Sequence, residues 1–422
     1  MNAPMLQSQA PLSQLQSSAQ HFLARYDRLK AELPASTIRA AAAQAFARTG
    51  LPGPREEEWR YTPLRPLAEL SLDAAVRPAS LDALLARLPA IAAPRLVFLE
   101  GKFQPGASTK LSYVKTGAPA WGTLADPVAH KLVALNSMLT EDGLALDVPA
   151  GMDAGSILLV SLGSGAINSF HPRHSISLGE GASLTLIEIA LGDGCYLNNP
   201  VLSATVAASA NFTHLRMQQD SAQAFHMSTV YVDVAAAGTY DSFALTLGAR
   251  LARMEVHATL GGPNAAAHLN AAQLLGGNQH ADFTTVVQHA APNTSSRQTV
   301  KNVLTGKSHG VFQGKIEVLR IAQKTDGYQM NQALLLSPDA EMNAKPQLEI
   351  YADDVKCSHG ATIGELDGEQ LFYLRSRGIP ESSARTMLVR AFLAEALDPI
   401  AHDGARAAME AAIDAWWDHQ PT

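Results

Sequence analysis

The stretches ISLGEGASLTLIEI (176–189), TVAASANFTHLRM (205–217), VDVAAAGTYDSFAL (232–245) and TLGGPNAAAHLNA (259–271) share one plan: a strand, a corner of small residues, then another strand. The alternation on either side of each corner is a strand pattern. The corners fall near residues 180, 209, 237 and 263. That is a spacing of roughly 26–29 residues, and a fixed period in the 20–50 range marks a repeat architecture. Short strands joined by small-residue corners, with no helix between them, fit a β-helix. One coil cannot bury its inward face alone, whereas stacked coils share one core. A β-sandwich is the competing reading. Hairpin signals of the Asn-Gly and Asp-Gly kind are sparse across the repeats, and Asp367–Gly368 reads as a late one, which favours coils over meanders.

Outside the repeats the chain changes character. From Leu12 to Leu33 apolar residues recur at helical spacing. A second helix follows Ser36–Thr37 and stops at Gly50, and a short one starts near Ser80 and ends at Pro89. Residues 1–10 read as disordered. RLVFLEG (95–101), KLSYVKTG (110–117) and SILLVSLG (156–163) read as strands with turns between them. Near the other end, Ser382–Ser383 offer a cap to a helix up to Asp398–Pro399. A last helix runs from about Asp403 to Trp417, with Ala407, Met409, Ile413 and Trp416 on its apolar stripe. The expected organisation is a mainly β chain: an N-terminal helical region (1–92), a β-helix core (93–350), the end of that β-helix (351–380) and a C-terminal helical domain (381–422).

Bulk properties exclude several classes. The 422 residues are 47% hydrophobic and 17% charged, which is a globular composition. A net charge of −7 argues against a nucleic-acid partner. MNAPMLQSQAPLSQLQ has neither a basic nor an apolar export region, and the longest apolar stretch is too short to span a bilayer. A cytoplasmic protein with no membrane association is expected. Two distant cysteines, Cys195 and Cys357, make no disulfide scaffold. Cys195 follows Gly192–Asp193–Gly194 in a turn and reads as structural.

The chemistry concentrates in KPQLEIYADDVKCSHGATIGELDGEQLFYLRSRGI (345–379). If a strand runs through 356–360, Cys357 and His359 project from one face. A thiolate beside an imidazole can bind a soft metal, carry sulfur or act as a nucleophile, and Lys356 would favour the thiolate. A buried cysteine with a hydrogen-bonded histidine nearby is the plain alternative. Two ligands do not complete a metal site, so a metal here needs donors from another chain. No orienting Asn or Asp follows from spacing, which disfavours a hydrolase.

Other segments invite weaker readings. VLTGKSHG (303–310) contains Gly-Lys-Ser, but a phosphate loop needs a glycine where Lys301 stands and a helix where strand pattern continues. The polar run at 280–304 suits either a ligand surface or a ladder satisfying backbone groups at coil corners. REEEWRYTPL (55–64) is either an exposed aromatic patch or a cap packed on the rest of the chain.

EEWRYTPL (57–64), SSRQTVKNVL to GVFQGKIEV (295–318), and the run AQKTDGYQMNQALLLSPDAEMNAKPQLEIYADDVKCSHGATIGELDGEQLFYLRSRGI (322–379) resemble the SufD family of the Suf iron–sulfur cluster assembly machinery. The resemblance spans essentially the whole chain and is weakest at 1–50 and 100–250. The paralogue SufB shares the late FYLRSRGI-like segment, but its long N-terminal region has no counterpart here. The resemblance implies a right-handed parallel β-helix core between helical domains. It implies pairing with a SufB-type paralogue through the β-helices, and docking of the ATPase SufC on the C-terminal helices. It also implies that Cys357 and His359, matching the Cys and His of the family's KCSHGAT segment, are tied to a transient iron–sulfur cluster at the interface with SufB. On that reading the chain is a scaffold rather than an enzyme, with no cofactor stably bound to the isolated chain, and alone it can pair with itself. A SufB-like scaffold, or from a different class a β-helix carbohydrate-active enzyme with paired carboxylates, is the alternative.

Overall fold

The computed structural model describes residues 12–68, 78–126, 129–165 and 169–419. The segment read as disordered, 1–10, lies outside them. The repeats form a β-solenoid of about seven turns, made of two facing parallel sheets. Each coil gives one strand to each sheet. In the first sheet Ser183, Asn211, Thr239, Ala266, Ser295, Asp326 and Lys356 lie in register, a rise of 27–31 residues per coil. The coils are slightly longer than the sequence spacing because later corners lengthen, as between Val318 and Asp326.

The corners explain the small residues. Gly181, Ser209, Ala237, Asn264, Asn293 and Lys324 all have φ between 54° and 65°. A left-handed residue lets the chain turn inward, and a bulky or branched side chain is costly there. The N–H of each donates to a carbonyl of the next coil, as Ser209 to Ala236 and Asn264 to Pro292. The corner is therefore a hydrogen-bonded column and not a loose loop.

Inward residues such as Leu184, Phe212, Tyr240, Leu269, Phe283 and Phe312 fill the space between the sheets. The outer faces are covered too, so neither sheet shows a simple apolar-in, polar-out pattern. The helices Glu381–Leu397 and Asp403–Asp418 lay Val389, Leu393, Met409 and Ile413 on Leu245, Leu274 and Val303 of the first sheet. The helices Leu12–Leu29, Ser36–Thr49 and Lys131–Leu139 pack Phe22, Phe46 and Leu135 against Phe225 and Leu251 of the second.

Several elements differ from the sequence reading. KLSYVKTG keeps only Val114–Thr116 as strand. The helix Lys131–Leu139 had no amphipathic stripe to reveal it, because every residue from Leu132 to Leu139 is buried. Asp367–Gly368 is not a hairpin turn: Asp367 caps the helix Gly368–Ser376, accepting from the N–H groups of Glu369 and Gln370. Ser382–Ser383 lie inside the next helix, whose N-cap is Pro380 without a side-chain bond. On the last helix Met409 and Ile413 are buried as expected, but Ala407 is exposed and Ala405 takes its place: Ala405, Met409 and Ile413 recur every four residues on one face, whereas Ala407, two residues from Met409, points away.

Candidate functional site

Cys357 and His359 sit on the strand Lys356–Gly364. It is the terminal strand of the first sheet, and Glu341–Ile350 is the terminal strand of the second. Both edges belong to the same end of the solenoid, and no described strand pairs with either from outside. An unpaired edge is a template for another chain unless it is covered. Exposed Ile350, Tyr351 and Ile363 stand at this end.

Strand alternation puts both side chains on the inner face. Cys357 is in register with Gly327, and His359 with Gln329. The half-buried thiol packs with Ile316, Val318 and Leu348, reaching across to the other sheet. His359, one step nearer the open interior, is exposed. Burial raises the Cys357 pKa above its usual value, and the Asp326 carboxylate adds to this. A hydrogen bond from the Gly327 N–H only partly offsets it.

The expected thiolate-favouring role of Lys356 is therefore corrected. Alternation sends Lys356 to the opposite face, in register with Asp326, whose carboxyl is held below its usual range chiefly by Arg297 and in smaller part by Lys356. The isolated chain carries a protonated, sheltered thiol beside an accessible imidazole. Covering the edge with a polar partner surface, or bringing a cation to the thiol, is what would ionise it.

Behind His359 lies a row that the sequence reading missed. Leu269, Gln298, Gln329 and His359 are consecutive in register, all on the inner face. The core thus changes from apolar to polar toward the open end. Thr285 donates to Gln298, and Gln329 donates to the Gln347 carbonyl. Gln298 Nε2, Gln329 Oε1 and Asn331 Nδ2 are nevertheless buried without a hydrogen-bond partner. Such groups are costly unless water or a polar ligand meets them. The sequence spacing does not find it, because the steps from His359 to Gln329 and on to Gln298 span 30 and 31 residues, longer than the spacing of the earlier corners.

The remaining candidates resolve into structure. In the polar run, His289 pairs with Thr294 and Ser296, and Lys301 with Glu395 of the C-terminal helix. Gly306 and Lys307 lie in a turn between two strands, without the helix a phosphate loop needs. Trp59 is buried and stacks on Arg253 at 4.1 Å, so EEWRYTPL is a cap on the second sheet. Arg253 in turn donates to Asp282 and to the Glu58 carbonyl. Half-buried Cys195 donates to the Gln223 carbonyl at 3.4 Å, and burial raises its pKa as well.

A family profile described as “SUF system FeS cluster assembly, SufBD core domain” matches residues 161–392. The chain belongs to the SufBD family. It is 34% identical to the iron–sulfur cluster assembly protein SufD of Escherichia coli over 86% of this chain and 88% of that protein. It is 32% identical to an iron–sulfur cluster assembly SufBD family protein of Synechocystis, over 86% of each chain. A chloroplastic protein of Arabidopsis thaliana is 32% identical over 63% of this chain and 58% of its own length. The SufBD core match begins within the strand Asp153–Gly163 and includes the whole Cys357–His359 segment and the helix Gly368–Ser376. Among the described residues no helix is long and apolar enough to cross a membrane.

Proposed function

We propose that this chain is the SufD-type scaffold subunit of an iron–sulfur cluster assembly complex, pairing with a SufB-type paralogue through the open end of its solenoid. One observation carries the reading. An incomplete donor pair, Cys357 and His359, faces inward on an edge strand that has no described strand on its outer side. A thiol and an imidazole cannot close a cluster site, and a second chain docked on that edge would bring the missing donors to the same place. Few ligands from each chain also suit a cargo that must leave.

The C-terminal helices are proposed to dock a SufC-type ATPase. On Gly368–Ser376, Phe372 and Tyr373 are 73% and 57% exposed, and Met387 on the next helix is 48% exposed. Phe372 and Tyr373 border a surface groove of about 800 Å³ that also touches Leu374 and Leu388. Exposed aromatic side chains of this kind are common anchors at interfaces. The segment 378–385 links this helix to Glu381–Leu397, whose other face grips the solenoid through Leu393 and Lys301–Glu395. Motion of a docked ATPase would reach the open end along that path and uncover Cys357 and His359.

The test is anaerobic co-expression with SufB- and SufC-type partners, followed by iron and sulfide counts on the purified complex. Cluster lost in His359→Ala with the complex intact supports the reading. Cluster retained in both His359→Ala and Cys357→Ser would move the chemistry onto the partner. Thiol labelling of Cys357 that ignores nucleotide would sink the coupling. An isolated chain that self-pairs and does not exchange into a heterodimer would leave a structural homodimer.

A further inference from the structure

Away from the open end, the outer face of the second sheet carries a cluster that cluster assembly at Cys357 does not use. Glu255 and His257 project from one face of the strand Leu251–Leu260. His130 approaches from the residue preceding the helix Lys131–Leu139, where its side chain makes no capping bond. One donor atom from each of the three lies within 4.8 Å of the others. His257 Nε2 and Glu255 Oε1 are 2.8 Å apart. Two bonds of about 2.0–2.1 Å at a right angle put ligand atoms roughly 3 Å apart, so that spacing matches one edge of a metal shell.

The surroundings favour a cation. Arg253 Nε donates to the other Glu255 oxygen at 3.2 Å, which orients the carboxylate and leaves Oε1 facing the histidines. Arg253 is itself neutralised by Asp282. Tyr231, in register with His257, stacks on that ring at 4.8 Å and lies 5.8 Å from the ring of His130. Its hydroxyl is buried without a hydrogen-bond partner, which leaves it able to meet an ion or an ion-bound water. His257 keeps 19% of its side chain exposed, so an ion has a way in.

We propose that His130, Glu255 and His257 bind one divalent first-row transition-metal ion. Two imidazoles and a carboxylate suit zinc(II) or iron(II), whereas a thiolate-free set does not select copper(I). The ion joins the segment before Lys131–Leu139 to the solenoid wall, acting as a clip. The strand Leu251–Leu260 is separated from the edge strand Glu341–Ile350 by two others, so the site is distinct from Cys357 and His359.

The experiment uses the full chain, stripped with chelator and titrated with cobalt(II) as a spectroscopic probe. The expected result is one equivalent per chain with visible d–d bands, and a melting temperature that rises by several degrees in excess zinc(II). His257→Gln and His130→Gln should each lose the bands and the thermal shift. The Cys357→Ser/His359→Ala double variant should keep both. If His257→Gln fails to fold, His130→Gln decides, since His130 lies outside the sheet. Unchanged binding in His130→Gln, binding lost only in the double variant, or no binding with cobalt at 100-fold excess over protein would each overturn the proposal.

Discussion

Acid should weaken this protein through histidines that its core holds neutral. His174 is 4% exposed and His289 is fully buried. Burial pushes the pKa of each down to about 4, from the ordinary histidine value of about 6.5. The folded state therefore refuses protons that the unfolded chain accepts. Their contribution is fully present above pH 6.5 and is lost as pH falls from there toward about 4. At pH 5 the unfolded chain gains roughly 2 kcal/mol per histidine from protonation, so the two together remove about 4 kcal/mol. That is a large share of a typical stability of about 5–15 kcal/mol. Urea unfolding at pH 7.5, 6 and 5 measures it. His174 accepts the Leu144 N–H at Nδ1, and an asparagine oxygen can stand in that place. His174→Asn should therefore lose about 2 kcal/mol less than wild type between pH 7.5 and 5. An equal loss in both proteins, with the His174 ring titrating near 6.5 by NMR, would refute the reasoning.

Three further outcomes are expected. Ala237 sits at φ 54° in the corner column, so Ala237→Gly should stabilise by about 1 kcal/mol, read as a higher urea midpoint at unchanged slope. A lower midpoint would mean that the column does not carry that strain. In the isolated chain Cys357 should react with iodoacetamide at pH 7.5 more slowly than free cysteine, and Lys356→Met should leave the rate unchanged. A rate above that of free cysteine would show an ionised thiol instead. Trp59→Ala removes the buried ring that covers Arg253, at a cost of about 3–5 kcal/mol in denaturant unfolding. A loss below 1 kcal/mol would show that the N-terminal cap is not coupled to the sheet.

The geometry of the candidate pair was legible for a simple reason. Cys357 and His359 are two residues apart on one strand, and strand geometry alone puts them on one face. Their electrostatics were not legible. Lys356 is adjacent in sequence yet faces away, and the thiol's shift comes chiefly from burial, with a smaller contribution from Asp326, thirty residues before Lys356. The polar row of Gln298 and Gln329 needed the register between coils, which slips with each change in corner length. The His130, Glu255 and His257 cluster was out of reach, because its members are joined only when the segment before Lys131–Leu139 folds onto the sheet.

The repeat, its approximate period and the helical ends can be read from the amino-acid order alone. Small corner residues and strand alternation are local consequences of backbone sterics, and they recur with every coil. Which end of the solenoid is open, where the thiol's charge environment comes from, and which polar groups lie unpartnered inside emerge once the coils stack. Those properties depend on neighbours about thirty residues or more apart in the chain, and no local pattern encodes which of them will meet.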